Sequence, residues 1–568
     1  MPLRQFLFLG LTAITWLSSC LSFAVATFAA DNPVKLAGTG RFDLLADEAV
    51  GELRDGSVLA GSANIERMNW VPAKEQPRGY VVSGAISHRG WREWRVQFTP
   101  TKSGKVTLSL LGAWEEASPG LIYRQEVLWD DFEVTGATIS NGSFEDQEES
   151  GVPLGWQTTG GRSQVASKEM PSVTGQRIAR TWHNQRLSTT LMVTAEKPVS
   201  VRCFVRAAIP TGFVEMKRIV NRDSPAHHAA KQFRKGTNFG NYLEAPKGQD
   251  WGATYAAADF ERVQTEGFDH VRLPIAWQHY GSGSDFRLDQ EIFAKVDPLV
   301  AEAVRLKLGI ILNLHHFDRY TSNPVDEHEN FFKLWKQISE HYADQPDLVA
   351  FELLNEPKDA ATTEVLNPVF AEAIKLIRKT NPRRTIFVAT GKWNSVFELP
   401  SLRLPDDDDN LIVTVHCYEP HLFSHQGADF GGPDVKVTGI RFPGPPTKPL
   451  TIDPSLKVSS SVVDWVQRYN TRPTEKNPSS PAAFQRHITE AAEWSAYYGR
   501  PIHFGEFGCY IKADAESRAA YYRAFRQTLD EANLGWAVWD WKAGFRYWND
   551  ELEQPEPGMR EALFPTKK

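Results

Sequence analysis

Between residues 235 and 541, short apolar runs of strand character recur eight times, and amphipathic helical stretches separate several of them. They are KGTNFG (from 235), FDHVRL (268), GIILNL (309), LVAFEL (348), TIFVAT (385), LIVTV (411), IHFGE (502) and GWAVWDW (535). The stretches EIFAKVDPLVAEAVRLKL and PVFAEAIKLIRK place apolar residues at helical spacing. Eight strands alternating with helices is the count of a (β/α)8 barrel, an α/β fold. A doubly wound open sheet is the alternative, but no Gly-x-Gly-x-x-Gly follows the first strand.

The chain before residue 216 has a different texture. KVTLSLL from Lys105 and VSVRCFVRA from Val199 alternate polar and apolar residues, with Gly, Pro and Asn between such runs and no long helical period. Residues 31–215 are therefore expected to form an all-β, jelly-roll-like sandwich of one or two units. Residues 216–568 would be the barrel, since 568 residues exceed one ordinary core. Asp223 or Ser224 ahead of Pro225 reads as a helix cap.

Residues 1–30 read as an export signal: Arg4, the apolar FLFLGLTAITWL, then small residues to AVATFAA. Ordinary cleavage near Ala26–Ala30 is expected; LSSC at 17–20 offers the alternative of a lipid anchor on Cys20. Secretion, or a periplasmic or cell-surface location, follows from either. Cys203, Cys417 and Cys509, an odd and widely spaced set, are expected as buried thiols and not as a disulfide framework or metal site. A net charge of -7 from 63 basic and 70 acidic residues, with no Lys/Arg block, argues against a nucleic-acid partner.

Polar groups gather where the strands end: Arg272, His315 with His316, Asn355 with Glu356, His416 with Tyr418, Glu506, and Trp539. In a barrel those ends converge on one face. Two glutamates among Arg, His, Tyr and Asn suit glycoside hydrolysis, which needs one carboxyl group as proton donor and a second as nucleophile or base. No His-Glu-x-x-His or Cys/His cluster offers a metal, and no Gly-x-Ser-x-Gly offers a serine nucleophile, so neither metal nor cofactor is expected. Two acidic and loop features are assigned elsewhere. The run Asp406–Asp409 is expected as a solvated loop, and the Pro-, Gly- and Ser-rich stretch 421–480 as a long loop over the active-site face.

In order along the chain, GTNFGNYLE (236), GFDHVRLPIAW (267), LNLHH (312), LLNEP (353), VTVHCYEP (413), GEFG (505) and WAVWDW (536) resemble the motifs of glycoside hydrolase family 5, the cellulase-like retaining barrels, over roughly 225–555. VLWDDFEVTGATISNGSFED with GVPLGW resembles jelly-roll modules that accompany bacterial polysaccharide hydrolases. The family resemblance implies Glu356 as acid/base and Glu506 as nucleophile. It also implies Arg272, His416 and Tyr418 as partners that hold Glu506 ionised by lowering its pKa. Asn355 would hold the sugar 2-hydroxyl, His315 would contact substrate and acid, and Trp539 would lie under the sugar.

The resulting expectation is an exported, monomeric retaining hydrolase of β-linked polysaccharide or oligosaccharide, an endo-β-1,4-glucanase before a β-mannanase or other β-glucan hydrolase. A catalytically inactive carbohydrate-binding protein is the alternative from another class. The sandwich either binds sugar through Trp91, Trp94 or Trp114 or serves only as packing.

Overall fold

The computed structural model describes residues 37–68, 79–114, 116–118, 121–122, 125–209 and 215–565. The expected export signal and Cys20 lie outside the described residues. Eight parallel strands close a barrel in chain order: β1 Lys235–Asn238, β2 His270–Ile275, β3 Gly309–Leu314, β4 Val349–Glu352, β5 Ile386–Ala389, β6 Leu411–His416, β7 Ile502–Phe507 and β8 Gly535–Val538. β8 returns to pair with β1, which rules out the open sheet. Every residue of β2, β3, β6 and β7 is buried, because one face packs on helices and the other fills the barrel. The runs are apolar throughout for that reason. Among the described residues no helix is long and apolar enough to cross a membrane.

The barrel interior is layered by the two-residue period of its strands. At the N-terminal end, Ile311, Ala350, Phe387 and Ile412 pack with Phe233 and Ala226. The latter two belong to or follow helix Pro225–Gln232, with Ser224 at its N-cap and Pro225 in its first turn. In the same tier, His270 and His503 pack on Phe233 and Phe387 and bring ring nitrogens to 3.1 Å. Gly236 makes room for them, since a Cβ there would lie 2.1 Å from the His270 ring. Two residues further along the strands come Asn238, Arg272, Asn313, Glu352 and Thr414, all buried, directly beneath the mouth.

Two antiparallel sheets form the N-terminal sandwich. One runs Ala137–Thr138, Leu187–Val193, Gly104–Gly112, Ala37–Ala46, Gly79–Ser87, Ala63–Arg67, with Gln157–Thr158 beside Leu187–Val193; the other runs Arg162–Val165, Arg177–Thr181, Val127–Thr135, Val199–Ala207, Arg92–Pro100, Leu53–Ala60. The sandwich is one unit. Phe144 and Trp156, in the stretch that resembles jelly-roll modules, share one core with Phe42, Trp94, Trp129 and Phe132. Cys203, Cys417 and Cys509 are free and buried.

Two loop expectations are corrected. The stretch 421–480 borders the mouth only as far as Phe430. Beyond it, Phe442 packs against Phe484 and Tyr521, its N–H donates to Ser517 Oγ at 3.0 Å, and helix Ser460–Thr471 buries Val462, Val466 and Tyr469. These apolar groups draw the segment down the barrel's flank, where helices can bury them. Nor is Asp406–Asp409 simply solvated: Asp408 accepts two bonds from Arg378 at 2.7 and 3.0 Å, and Asp406 accepts from the Lys217 N–H at 2.8 Å.

After β5 the chain makes only short turns, Gly391–Asn394 and Val396–Ser401, and the sandwich leans on this part of the barrel. Helix Ala482–Tyr498 supplies the rest of the contact. Arg89 meets Glu490 at 2.9 Å, Arg92 meets Glu490 and Glu493 at 2.7 Å each, and His88 Nε2 lies 3.1 Å from the Tyr498 hydroxyl. Arg89 and Glu490 are nearly buried, whereas the Glu493 side chain is 49% exposed. Removing one partner of a buried pair strands the other charge, at about 3 kcal/mol or more, while an exposed pair contributes under about 1 kcal/mol. Glu490→Ala should therefore lower the chemical-denaturation midpoint clearly more than Glu493→Ala. Equal effects in parallel unfolding curves would mean the seam does not depend on that buried pair.

Candidate active site

The polar layer opens into a cleft of about 840 Å³ at the C-terminal ends of the strands. Arg272, on β2, is fully buried beneath it. Its Nε and Nη2 donate to the two oxygens of Glu352 at 2.7 and 2.8 Å, Nη2 also reaches Asn355 Oδ1 at 2.6 Å, and Nη1 reaches Asn238 Oδ1 at 2.9 Å and Glu506 Oε1 at 2.8 Å. Burial alone would depress this guanidinium, but Glu352 and Glu506 outweigh it and keep Arg272 charged.

Glu506 is aimed by an irregularity in β7. The β6–β7 register slips between the Val415 and His416 pairs, so that His416 faces Glu506, and residues just before it are displaced from regular pairing. Gly505 fits there because a Cβ would sit 2.6 Å from Thr414 Oγ1. The second carboxylate oxygen of Glu506 accepts from the Tyr418 hydroxyl at 2.8 Å.

Glu356 follows β4 in the left-handed backbone region, at φ 43°. Its N–H is held at 2.9 Å by Asn394 Oδ1, and Asn394 is itself buried and left-handed, φ 56°. His416 turns Nδ1 toward both glutamates, 2.9 Å from Glu356 Oε1 and 3.6 Å from Glu506 Oε2. The expected partnership with Glu506 is thus the longer of its two contacts. Ligating atoms of Glu356, His416 and Glu506 all lie within 4.8 Å of one another. Such a trio is also spaced as metal ligands are; a cation in it would stand beside the guanidinium already bonded to Glu506.

Burial dominates the electrostatics here. It raises Glu506 above the usual carboxylate range, against His416, Arg272 and Tyr418, with the Glu356 charge adding to the rise. All three partners lower the Glu506 pKa as expected, and burial, which the sequence did not reveal, outweighs them. Burial also raises Glu356, opposed by His316, Arg272 and Lys358. It pushes His416 down to about 4 and His315 well below its ordinary value, so both rings are neutral near pH 7.

His315 makes no hydrogen bond to Glu356. It pairs with Asn313 Oδ1 at 2.9 Å and lies 3.4 Å from Asn355 Nδ2. Its ring is near-parallel to the Trp539 indole, centroids 5.8 Å apart, and His316 stands edge-on beside it. All nine strand-end residues singled out in the sequence converge on this site. Others were missed. Glu352 and Asn238 lay hidden inside strand-like runs, and Asn394 in a turn without pattern. Glu244, which burial pushes up to about 7 despite bonds from the Tyr242 and Asn241 N–H groups, and the exposed aromatics Trp251, Trp393 and Phe430 complete the cleft walls. A second cavity, of about 800 Å³, opens at the opposite end of the barrel between Pro225 and Asn410. In such barrels that end serves stability and not chemistry.

A closed (β/α)8 barrel with two facing glutamates at its C-terminal mouth defines the glycoside hydrolase class. Residues 230–544 match the family model for cellulase, glycosyl hydrolase family 5. The chain belongs to that family. Endoglucanase 3 of Fibrobacter succinogenes is 30% identical over 56% of this chain and 50% of its own length, so the chain spans about half of that relative. The crystal structure of endoglucanase Cel5A from Thermotoga maritima aligns with 60% of this chain and 100% of its own at 30% identity and TM-score 0.52. The Cel5A structure in complex with mannotriose aligns at 29% identity and TM-score 0.51, covering 59% of this chain and 99% of that one.

Tyr418→Phe removes a hydrogen bond that favours the charged form of Glu506. Its carboxyl pKa should rise, and carboxyl-carbon NMR titration of the variant against the parent reads the shift. An unchanged titration would mean the phenol does not tune that carboxylate.

Proposed function

We propose that this chain is an exported retaining hydrolase of β-linked glucan, with endo-β-1,4-glucanase activity. The observation that carries the reading is the approach of the Glu356 and Glu506 carboxylates, oxygens within 4.8 Å. Retaining pairs stand about 5 to 5.5 Å apart, whereas inverting pairs leave roughly 6.5 to 9.5 Å for a water. Endoglucanases among the relatives support the glucan assignment. The mannotriose complex of Cel5A supports β-mannan as the second substrate.

In this reading one Glu506 oxygen attacks the anomeric carbon while the other keeps its bond to Arg272 or Tyr418. Glu356, whose hold on a proton burial strengthens, gives that proton to the leaving oxygen. Once the glycosyl ester forms, Glu506 carries no charge, the two carboxyl groups no longer compete for one site of negative charge, and Glu356, left as a carboxylate by its proton transfer, can take a proton from water. The Asn355 amide group and the Trp539 ring would hold the sugar, with neutral His315 fixing both.

Glu506→Ala should abolish turnover on soluble cellulose derivatives, mixed-linkage glucan, xyloglucan and mannan alike. Azide should then restore some activity with inverted product. Glu356→Ala should lose about 10²- to 10⁴-fold on those polymers yet still form the glycosyl-enzyme from an aryl glycoside, whose leaving group needs no proton. First product of inverted configuration from the parent enzyme would overturn the retaining mechanism. No reducing-sugar release on any polymer would favour the inactive binding protein.

Asn394→Gly keeps the left-handed backbone but frees the Glu356 amide. Misplacing the acid should lower kcat on polymer by roughly tenfold to a hundredfold with KM little changed, and the aryl-glycoside burst should survive. An unaltered kcat would show that Asn394 does not position Glu356.

A further inference from the structure

A second recess, of about 370 Å³, lies in the seam between sandwich and barrel. Val396, Phe397, Pro400 and Arg486 form its barrel side, and Trp114 and Arg89 belong to its sandwich side. The catalytic cleft and this recess are lined by residues adjacent in the chain. Ser395 borders the cleft and Val396 the recess; His487 borders the cleft and Arg486 the recess. Between them stands the Phe397 ring, 4.7 Å from the His487 ring and 5.0 Å from the Arg486 guanidinium.

The layout of the mouth points a bound chain toward these residues. Trp251 follows β1 and Trp393 follows β5, four strands apart in a closed ring of eight, so the two face each other across the cleft. Both are exposed, by 42% and 56%. A polysaccharide lying from Trp251 past the glutamates to Trp393 leaves the cleft over Ser395–Phe397 and arrives at the recess.

Trp114 differs from the other sandwich indoles. Trp94, Trp129 and Trp156 are buried in the core and Trp91 and Trp182 are half-buried, whereas Trp114 is 47% exposed and braced by the His183 ring at 4.5 Å. An open indole face suits the apolar face of a pyranose, and nearby guanidinium groups suit its hydroxyl rim. The pairing of Arg89 with Glu490 at 2.9 Å cancels those two charges, so of the lining groups only Arg486 contributes net charge.

We infer that the seam recess is a distal binding site for a neutral β-linked glucan chain continuing from the cleft, with Trp114 as its platform. The inference rests on the glycosidase reading only in that one chain occupies both hollows. The sandwich thereby lengthens the substrate groove and does more than pack against the barrel.

The test uses the full chain carrying Trp114→Ala or Trp114→Phe, assayed on an aryl cellobioside too short to leave the cleft and on mixed-linkage β-glucan. The polymer-to-cellobioside KM ratio should rise about threefold to tenfold in Trp114→Ala, as loss of one aromatic contact would give, and Trp114→Phe should recover most of it. An unchanged ratio in Trp114→Ala, with both substrates turned over, overturns the distal site and leaves the glycosidase reading standing. Should the parent protein turn over neither substrate, the glycosidase reading fails. Affinity electrophoresis in gels containing the same glucan then decides the recess: weaker retardation of Trp114→Ala supports the distal site, and undiminished retardation overturns it.

Discussion

One fully buried guanidinium organises the mouth of this barrel. Arg272 bonds Asn238 on β1, Glu352 on β4, Asn355 just beyond β4 and Glu506 on β7, so its own strand β2 is tied to its neighbour β1 and to β4 and β7 across the mouth. An unpaired charge at that depth would be prohibitive, and two carboxylates with two amide oxygens compensate it. Taking away one member leaves the others buried and unsatisfied, at about 3 to 5 kcal/mol for a broken buried pair. The network is therefore held as a unit, and the position of Glu506 comes with it.

Two carboxyl groups that burial raises alike are told apart by what touches them. Glu506 accepts directly from a guanidinium and a phenol, both of which favour its charged form. Glu356 has a neutral imidazole at its carboxylate and an amide anchor on its backbone. The difference in donors assigns charge to the first and the proton to the second, from geometry that does not depend on the size of either shift.

The eight strands were legible because burial on both faces makes a barrel strand apolar from end to end, and a polar residue at its C-terminal end then stands out. Arg272, His416 and Glu506 were found that way. The same signal hid Glu352, whose charge sits inside LVAFEL and is answered by a partner 80 residues away. Sequence spacing carries no trace of Asn394, since its contact with Glu356 exists only once β4 and β5 lie side by side. The 421–480 stretch misled for a related reason: its Pro and Gly content signals a loop, but Phe442 and the helix at Ser460–Thr471 decide where that loop packs. In the sandwich, alternation gave the strands, and only the folded core revealed that Phe144 and Trp156 join one unit.

The covalent role proposed for Glu506 can be tested without a mutation. A 2-deoxy-2-fluoro cellobioside with a good leaving group should trap the glycosyl ester, adding the mass of one fluorodisaccharyl unit to the intact protein. After proteolysis, that mass should lie on the peptide containing Gly505-Glu506-Phe507. A label on Glu356 instead, or steady turnover of natural glucan by a protein that never takes up the label, would contradict a mechanism built on Glu506 as nucleophile.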